Sequence, residues 1–193
     1  MPSHGARLAG LLLVAAAAGC GGTGLAPGTS PGQVPTAAAN VVVVPAAQRR
    51  PLPPFAGETL AGGRLDLAGL RGTVVVLNFW ASWCGPCRGE QAGLERASQE
   101  LVGRGVQVVG VDLGDQRAPA LAYLAEFHVR YPSLFDPSGQ LTARLRDLAP
   151  TVRPHTLVVD RQGRVAARIF AAIPGGRPEV QAAFLADLVR EVG

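Results

Sequence analysis

Lysine is absent. All 18 basic residues of the 193-residue chain are arginines, set against 14 aspartates and glutamates for a net charge of +4. The arginines are scattered and form no basic run, so the electrostatic footprint of a nucleic-acid binder is missing. An all-arginine usage reads as a GC-rich coding composition rather than a function. Long apolar runs are absent as well. Leu8 to Ala18 is too short for the roughly 20 residues that a spanning helix needs. Cysteine is scarce, at three residues. A zinc site takes four ligands, and no second cysteine pair exists to complete one around Cys84 and Cys87. Only His128 and His155 could contribute, by accident of the fold, so no metal is expected. Aromatic residues make up 5%, yet 48% of the chain is apolar, enough for the core of one domain with an extension.

The most informative stretch is VVVLNFWASWCGPCRGE, residues 74–90. Val74 to Leu77 is a β-branched and apolar run of the kind that forms a fully buried strand. It leads through Asn78, Phe79 and Trp80 into Cys84-Gly85-Pro86-Cys87, and Arg88 to Leu101 has helical character. Cys84 is thereby placed at the exposed N-terminal end of a helix, where the dipole and unpaired N–H groups favour a thiolate. Cys87 follows within one turn, close enough for its sulfur to attack a mixed disulfide formed at Cys84. Pro86 suits the first helical turn, where its missing N–H costs nothing. A structural disulfide across so short a loop would stabilise little. A CxxC between strand and helix reads instead as a redox dithiol.

Cys20 belongs to another feature. Residues 1–19 have an early positive residue, Arg7, then an apolar stretch ending in Ala17-Ala18-Gly19-Cys20, the pattern of an export signal. Its end resembles a bacterial lipobox, with Ala17 where leucine is usual, which implies cleavage before Cys20 and a diacylglycerol on its sulfur. Ordinary signal cleavage and an uncleaved anchor are the alternatives. Residues 20–51 shift to Gly, Pro, Ala, Thr and Ser and read as a flexible tether, reaching on the order of 30 Å as a coil. Val41 to Val44 could pair as an edge strand within it; the favoured reading is no stable structure. The folded domain is assigned to 52–193.

Within that domain, short strands flank Gly62-Gly63, and the segment 74–80, the following helix and a strand at 106–112 form a β-α-β unit with parallel pairing. A helix over 118–127 is read with Leu121, Leu124 and Ala125 inward. A strand ends near Asp136, and Asp112 and Asp136 are read as strand ends that shape turns. Residues 141–148 suggest a short helix. A hairpin turns at Arg161-Gln162-Gly163, and Pro178 to Val192 closes the chain as an amphipathic helix with Val180, Phe184 and Leu188 inward. The order of elements gives a three-layer α/β/α sandwich with a mixed central sheet and an N-terminal extension.

NFWASWCGPCR, Glu90 three residues beyond Cys87, FDPSGQL and LVVDRQGRV together resemble the TlpA/ResA-like membrane-anchored thiol-disulfide reductases of the thioredoxin superfamily. The resemblance covers about 52–192. It implies a thioredoxin-like fold and a redox-active Cys84–Cys87 disulfide in place of any cofactor, with Cys84 attacking and Cys87 resolving. It places Trp83 over one side of the dithiol, makes Pro154 a cis-proline, and has Arg153 present its main chain to a peptide substrate. Glu90 would be half-buried near the dithiol and assist proton transfer; its bland alternative is a surface residue in the first helical turn. Where thioredoxins carry a buried aspartate this chain has Asn78, which cannot exchange protons, so that role passes to Glu90. His155 departs from the small polar residues usual after the proline. It is read either as a group near the sulfurs titrating around neutrality or as a partly exposed strand start.

The resulting expectation is a lipid-anchored, extracytoplasmic protein-disulfide reductase, monomeric, taking electrons from a membrane thiol donor. Its clients are disulfide proteins; apocytochrome c during maturation is the family's best-developed case. A disulfide oxidase or isomerase of secreted proteins is the runner-up, against which the reducing-type Gly85-Pro86 argues. A peroxidase would need a lone cysteine preceded by threonine in a loop, which is lacking. A non-catalytic dithiol metal-binding lipoprotein is the third reading.

Overall fold

The computed structural model describes Met1, residues 40–149 and residues 152–193. The expected signal peptide, Cys20 and the expected tether up to residue 39 lie outside the described residues. The sequence places its strongest strand, β4 (Val74–Trp80), at the centre, and all seven of its residues are buried. Around it a six-stranded sheet runs β1 (Val41–Val43), β8 (Val165–Ile169), β7 (His155–Val159), β4, β5 (Val106–Leu113) and β6 (Ser133–Asp136). β4, β5 and β6 are mutually parallel, while β7, β8 and β1 add on antiparallel. A separate hairpin pairs β2 (Ala56–Glu58) with β3 (Arg64–Asp66).

One face of the sheet is covered by α1 (Gly85–Leu101), α2 (Arg117–Glu126) and α4 (Pro178–Val192). Leu94, Ala97 and Leu101 of α1 and Leu185, Leu188 and Val189 of α4 pack on Val74, Val76, Val108 and Val158. α1 and α4 approach closely at Gly93, where a Cβ would fall 2.4 Å from Oε1 of Gln181. The opposite layer is thin. It consists of Phe55, the 3₁₀ turn Leu67–Leu70, α3 (Gln140–Ala143) and a second 3₁₀ turn at Arg146–Leu148, packed on Leu77, Phe79, Val109 and Leu157. Gly163 takes φ +76° in the β7–β8 turn, the left-handed conformation that favours glycine. Asp136 closes β6 as expected, accepting the Leu141 and Thr142 amides at the start of α3.

Three expectations need correction. The boundary at 52 falls too late. Val41–Val43 is a strand paired to Ile169, Arg168 and Ala167, and Arg49 pairs with Asp160 at 3.2 Å while donating to the Val192 carbonyl. Without β1 the long edge of β8 would offer unpaired N–H and C=O groups, and the valine run fills it. α2 turns Ala120 and Tyr123 inward and leaves Leu121 41% exposed, because the Tyr123 ring stacks on Trp80 at 4.6 Å. α4 likewise buries Gln181 and Ala182 rather than Val180, since the close contact with Gly93 sets its rotation.

Candidate active site

β4 delivers Cys84 to the N-cap of α1, with Pro86 in the first turn. Cys84 and Cys87 are joined as a disulfide with their Cα atoms 5.3 Å apart. The Cys87 amide points at Cys84 Sγ, 3.3 Å away. No acidic residue occupies the first turn, so the positive helix end is not neutralised locally and acts on the sulfur of Cys84. The expected exposure of Cys84 is overturned: it is 5% accessible against 1% for Cys87. Both cysteines belong to one buried cluster with Leu60, Trp80, Ala81, and Ala120 and Tyr123 of α2.

Glu90 lies one turn beyond Cys87 and is fully buried rather than half-buried or at the surface. Its Oε1 accepts from Asn78 Nδ2 at 2.8 Å, and its Oε2 accepts from the Ile173 amide at 2.8 Å. Asn78 also donates to Thr156 Oγ1 at 3.1 Å. Burial pushes the Glu90 carboxyl up from 4.5 to about 7, against the opposing pull of its two hydrogen bonds. A carboxyl poised there can take or return a proton near neutral pH. The Ile173 segment is itself fastened to the domain's first residues, since Asn40 donates to the Ala172 carbonyl and accepts from the Phe170 amide.

The other named residues form the rim. The Arg153–Pro154 peptide is cis. The Arg153 guanidinium lies over the Trp83 ring, 4.7 Å from its centroid, a contact that contributes about 0.5–1 kcal/mol at an exposed site. Trp83 is 60% exposed, and its indole N–H donates to the Gly114 carbonyl. It is therefore a solvent-facing side chain, not a packed aromatic. Beside it runs an open groove of about 400 Å³, lined by Ser82, Trp83, Gly114, Asp115, Gln116 and Pro119.

His155 does not join this group. The register Asn78↔Thr156 and Phe79↔His155 puts His155 on the face opposite Glu90, because side chains alternate along a strand. Its ring stacks on Phe79 at 4.0 Å, and Nδ1–H donates to the Val152 carbonyl at 2.6 Å. Burial lowers its pKa to about 4, so it neither adjoins the sulfurs nor titrates near neutrality, and it is no exposed strand start. Asp112 does lie at the end of β5, as its penultimate residue, but it is fully buried rather than a turn-shaping group. Among the described residues no group of three or more His, Cys, Asp or Glu side chains could hold a metal ion.

A buried disulfide at a strand-to-helix junction, a cis-proline just before the neighbouring strand β7 and a mixed sheet describe a thioredoxin-like site. Residues 49–168 match the AhpC/TSA family. The chain belongs to that family. Among its relatives, the thiol:disulfide interchange protein HelX of Rhodobacter capsulatus is 34% identical over 143 residues, 72% of each chain. The thiol-disulfide oxidoreductase ResA of Bacillus subtilis is 29% identical over 113 residues, 58% of this chain and 62% of that protein. The chain thus spans about 62% of the length of ResA, and the same share of the DsbE homolog of Paracoccus denitrificans. In three dimensions it is similar to a DsbF homologue from Corynebacterium diphtheriae, with a TM-score of 0.70 and 30% identity over 84% of this chain and 96% of that one. A secreted thiol-disulfide isomerase from Corynebacterium glutamicum gives a TM-score of 0.68 at 30% identity, over 80% and 95% of the two chains. This AhpC/TSA-family member thus has the thioredoxin-like α/β fold and the kinship to ResA-type proteins that its sequence led us to expect.

Proposed function

We propose that this chain is a membrane-tethered, extracytoplasmic protein-disulfide reductase working through Cys84 and Cys87. The observation that carries the reading is the Glu90 carboxyl, buried one helical turn from Cys87 and held near pH 7 by its surroundings. In the reduced protein, the Cys84 thiolate attacks one sulfur of a client disulfide, and the other client sulfur leaves and takes up a proton. The Cys87 thiol then gives its proton to the ionised Glu90 and attacks Cys84 Sγ. The second client thiolate departs and is protonated in turn. Two electrons pass to the client; of the two protons its thiolates take up, one is returned by Glu90 and the other comes from solvent, and the Cys84–Cys87 disulfide remains. A membrane thiol donor reverses this change and closes the cycle.

Trp83, the main chain of Arg153 and cis-Pro154 would grip the client segment, with the groove beside Trp83 taking residues flanking its cysteine. The chemistry fits a short disulfide-bearing peptide such as the oxidised haem-attachment segment of apocytochrome c. A lipid on Cys20, with residues 21–39 as the leash, would keep the site at the membrane with its donor; the protein would act as a monomer. Oxidase or isomerase action on secreted proteins is the second reading, and the likeness to a protein named as a secreted isomerase favours it.

The reduction potential of Cys84–Cys87, equilibrated against glutathione or dithiothreitol, decides between them. A value of about −250 mV or lower suits a donor of electrons, whereas one of about −120 mV belongs with strong oxidants and would end the reductase reading.

A further inference from the structure

Asp112 presents an unbalanced polar group. Its side chain is fully buried, and neither carboxyl oxygen has a hydrogen-bond partner among the described residues. It stands in register with Trp80 of β4 and Phe135 of β6, on the face of the sheet that carries α1. A bare carboxylate in such a place would lose its hydration and receive no donor in exchange.

The charged groups facing it come from three elements: Asp115 from the loop after β5, Arg153 from the segment before β7, and Arg117 from the start of α2. Neither arginine bonds to it. Arg117 donates to the Thr59 and Leu60 carbonyls and pairs with Glu58, while Arg153 lies over Trp83. The Asp115 carboxyl is within hydrogen-bond reach. Asp115 is already committed: one oxygen accepts the Ser82 amide at 2.6 Å and the other the Gln116 amide at 2.7 Å. Two carboxylates in contact cannot both ionise cheaply, and a single proton between them supplies the missing donor. Asp115 is the less buried partner and both its oxygens already accept N–H groups, so the proton is placed on Asp112.

We propose that Asp112 is a positioning residue for the dithiol, donating its carboxyl proton to Asp115 and so fixing the carboxylate that holds Ser82 two residues before Cys84. The assignment rests on the dithiol reading for its purpose but not for its chemistry. Burial and the neighbouring Asp115 charge push the Asp112 carboxyl up to about 8, with Arg153 and Arg117 pulling the other way. Above that pH both carboxyls carry charge, the bridge opens, and the loop into Cys84 loses its anchor.

The test is a pH titration by NMR of the oxidised full chain, carrying ¹³C-aspartate and ¹⁵N-amide labels. Neither Cys84 nor Cys87 titrates in that state, and no electron transfer is read. The Asp112 carboxyl carbon should titrate near pH 8, with the Ser82 amide shifting at the same midpoint. Asp112→Asn keeps a donor for Asp115 but cannot ionise, so the Ser82 amide should hold its neutral-pH position and lose the step. Asp115→Asn removes the acceptor and the repulsion, so the Asp112 midpoint should fall. An Asp112 midpoint below about 5, in the ordinary carboxylate range, overturns the proposal, and so does a Ser82 step that survives in Asp112→Asn. Should the variants not fold, the wild-type titration alone decides. None of these outcomes bears on the direction of electron flow, which the reduction potential decides separately.

Discussion

Replacing Glu90 by glutamine gives a prediction whose size follows from the structure. The Glu90 carboxyl is raised from 4.5 to about 7, with burial as the leading cause. A raised carboxyl binds its proton more tightly in the folded than in the unfolded chain. Its contribution to stability is therefore fully present below pH 4.5 and is lost as pH rises through 7. With those two values the loss is about 1 kcal/mol at pH 5 and about 3 kcal/mol at pH 8. The glutamine side chain has nothing to ionise. It carries instead an offset that does not change with pH: its Oε1 keeps the Ile173 amide, and its NH₂ needs the Asn78 amide turned to present Oδ1. The measurement is urea unfolding of the oxidised wild type and Glu90→Gln at pH 5 and pH 8. Between these pH values the variant should gain about 2 kcal/mol relative to wild type, whatever the fixed offset. Asp112 and His155 act in both proteins and cancel in the difference. Parallel pH dependences would refute the assignment of a neutral-range carboxyl to Glu90.

His155 should be silent between pH 5 and 8. Burial lowers its pKa to about 4, so its share of stability is present above pH 6.5 and lost as pH falls through 4; ring ¹⁵N shifts should show a fixed Nδ1–H tautomer, and a midpoint near 6.5 would contradict the burial. Cys20→Ser should move the protein out of the membrane fraction on cell fractionation, and a variant that stays bound would remove the lipid anchor from the proposed function.

What could be read from the sequence was local. Val74–Trp80 announces itself by unbroken apolar character, α1 and α4 by proline in the first turn, and the β7–β8 turn by Gly163, each within a few residues of chain. What escaped depends on distant partners. Val41–Val43 becomes a strand only because β8, more than a hundred residues later, leaves an edge open. The inward face of α2 is fixed by Trp80, and the burial of His155 by its pairing with Phe79. Cys84 is shielded by α2, an element with no local link to the CxxC stretch. Asp112 did carry a signal: an acidic residue between Val111 and Leu113, at the apolar end of a strand, needs a partner or a proton.

The exchange of aspartate for asparagine on the central strand then has a physical sense. Asn78 as placed donates through Nδ2 to Glu90 and Thr156 and leaves Oδ1 without a partner. That orientation suits ionised Glu90, which can only accept. Turned by 180°, the same amide offers Oδ1 to the proton of neutral Glu90 and to the Thr156 hydroxyl, and Glu90 keeps its bond from Ile173 in both states. An aspartate at 78 could serve only the protonated form, since two facing carboxylates repel. The asparagine therefore lets the carboxyl beside Cys87 pass between its two protonation states without a buried donor left facing a donor. A group that must take up and release one proton per exchange cycle needs a neighbour with that property, and the strand supplies it opposite the helix that supplies the acid.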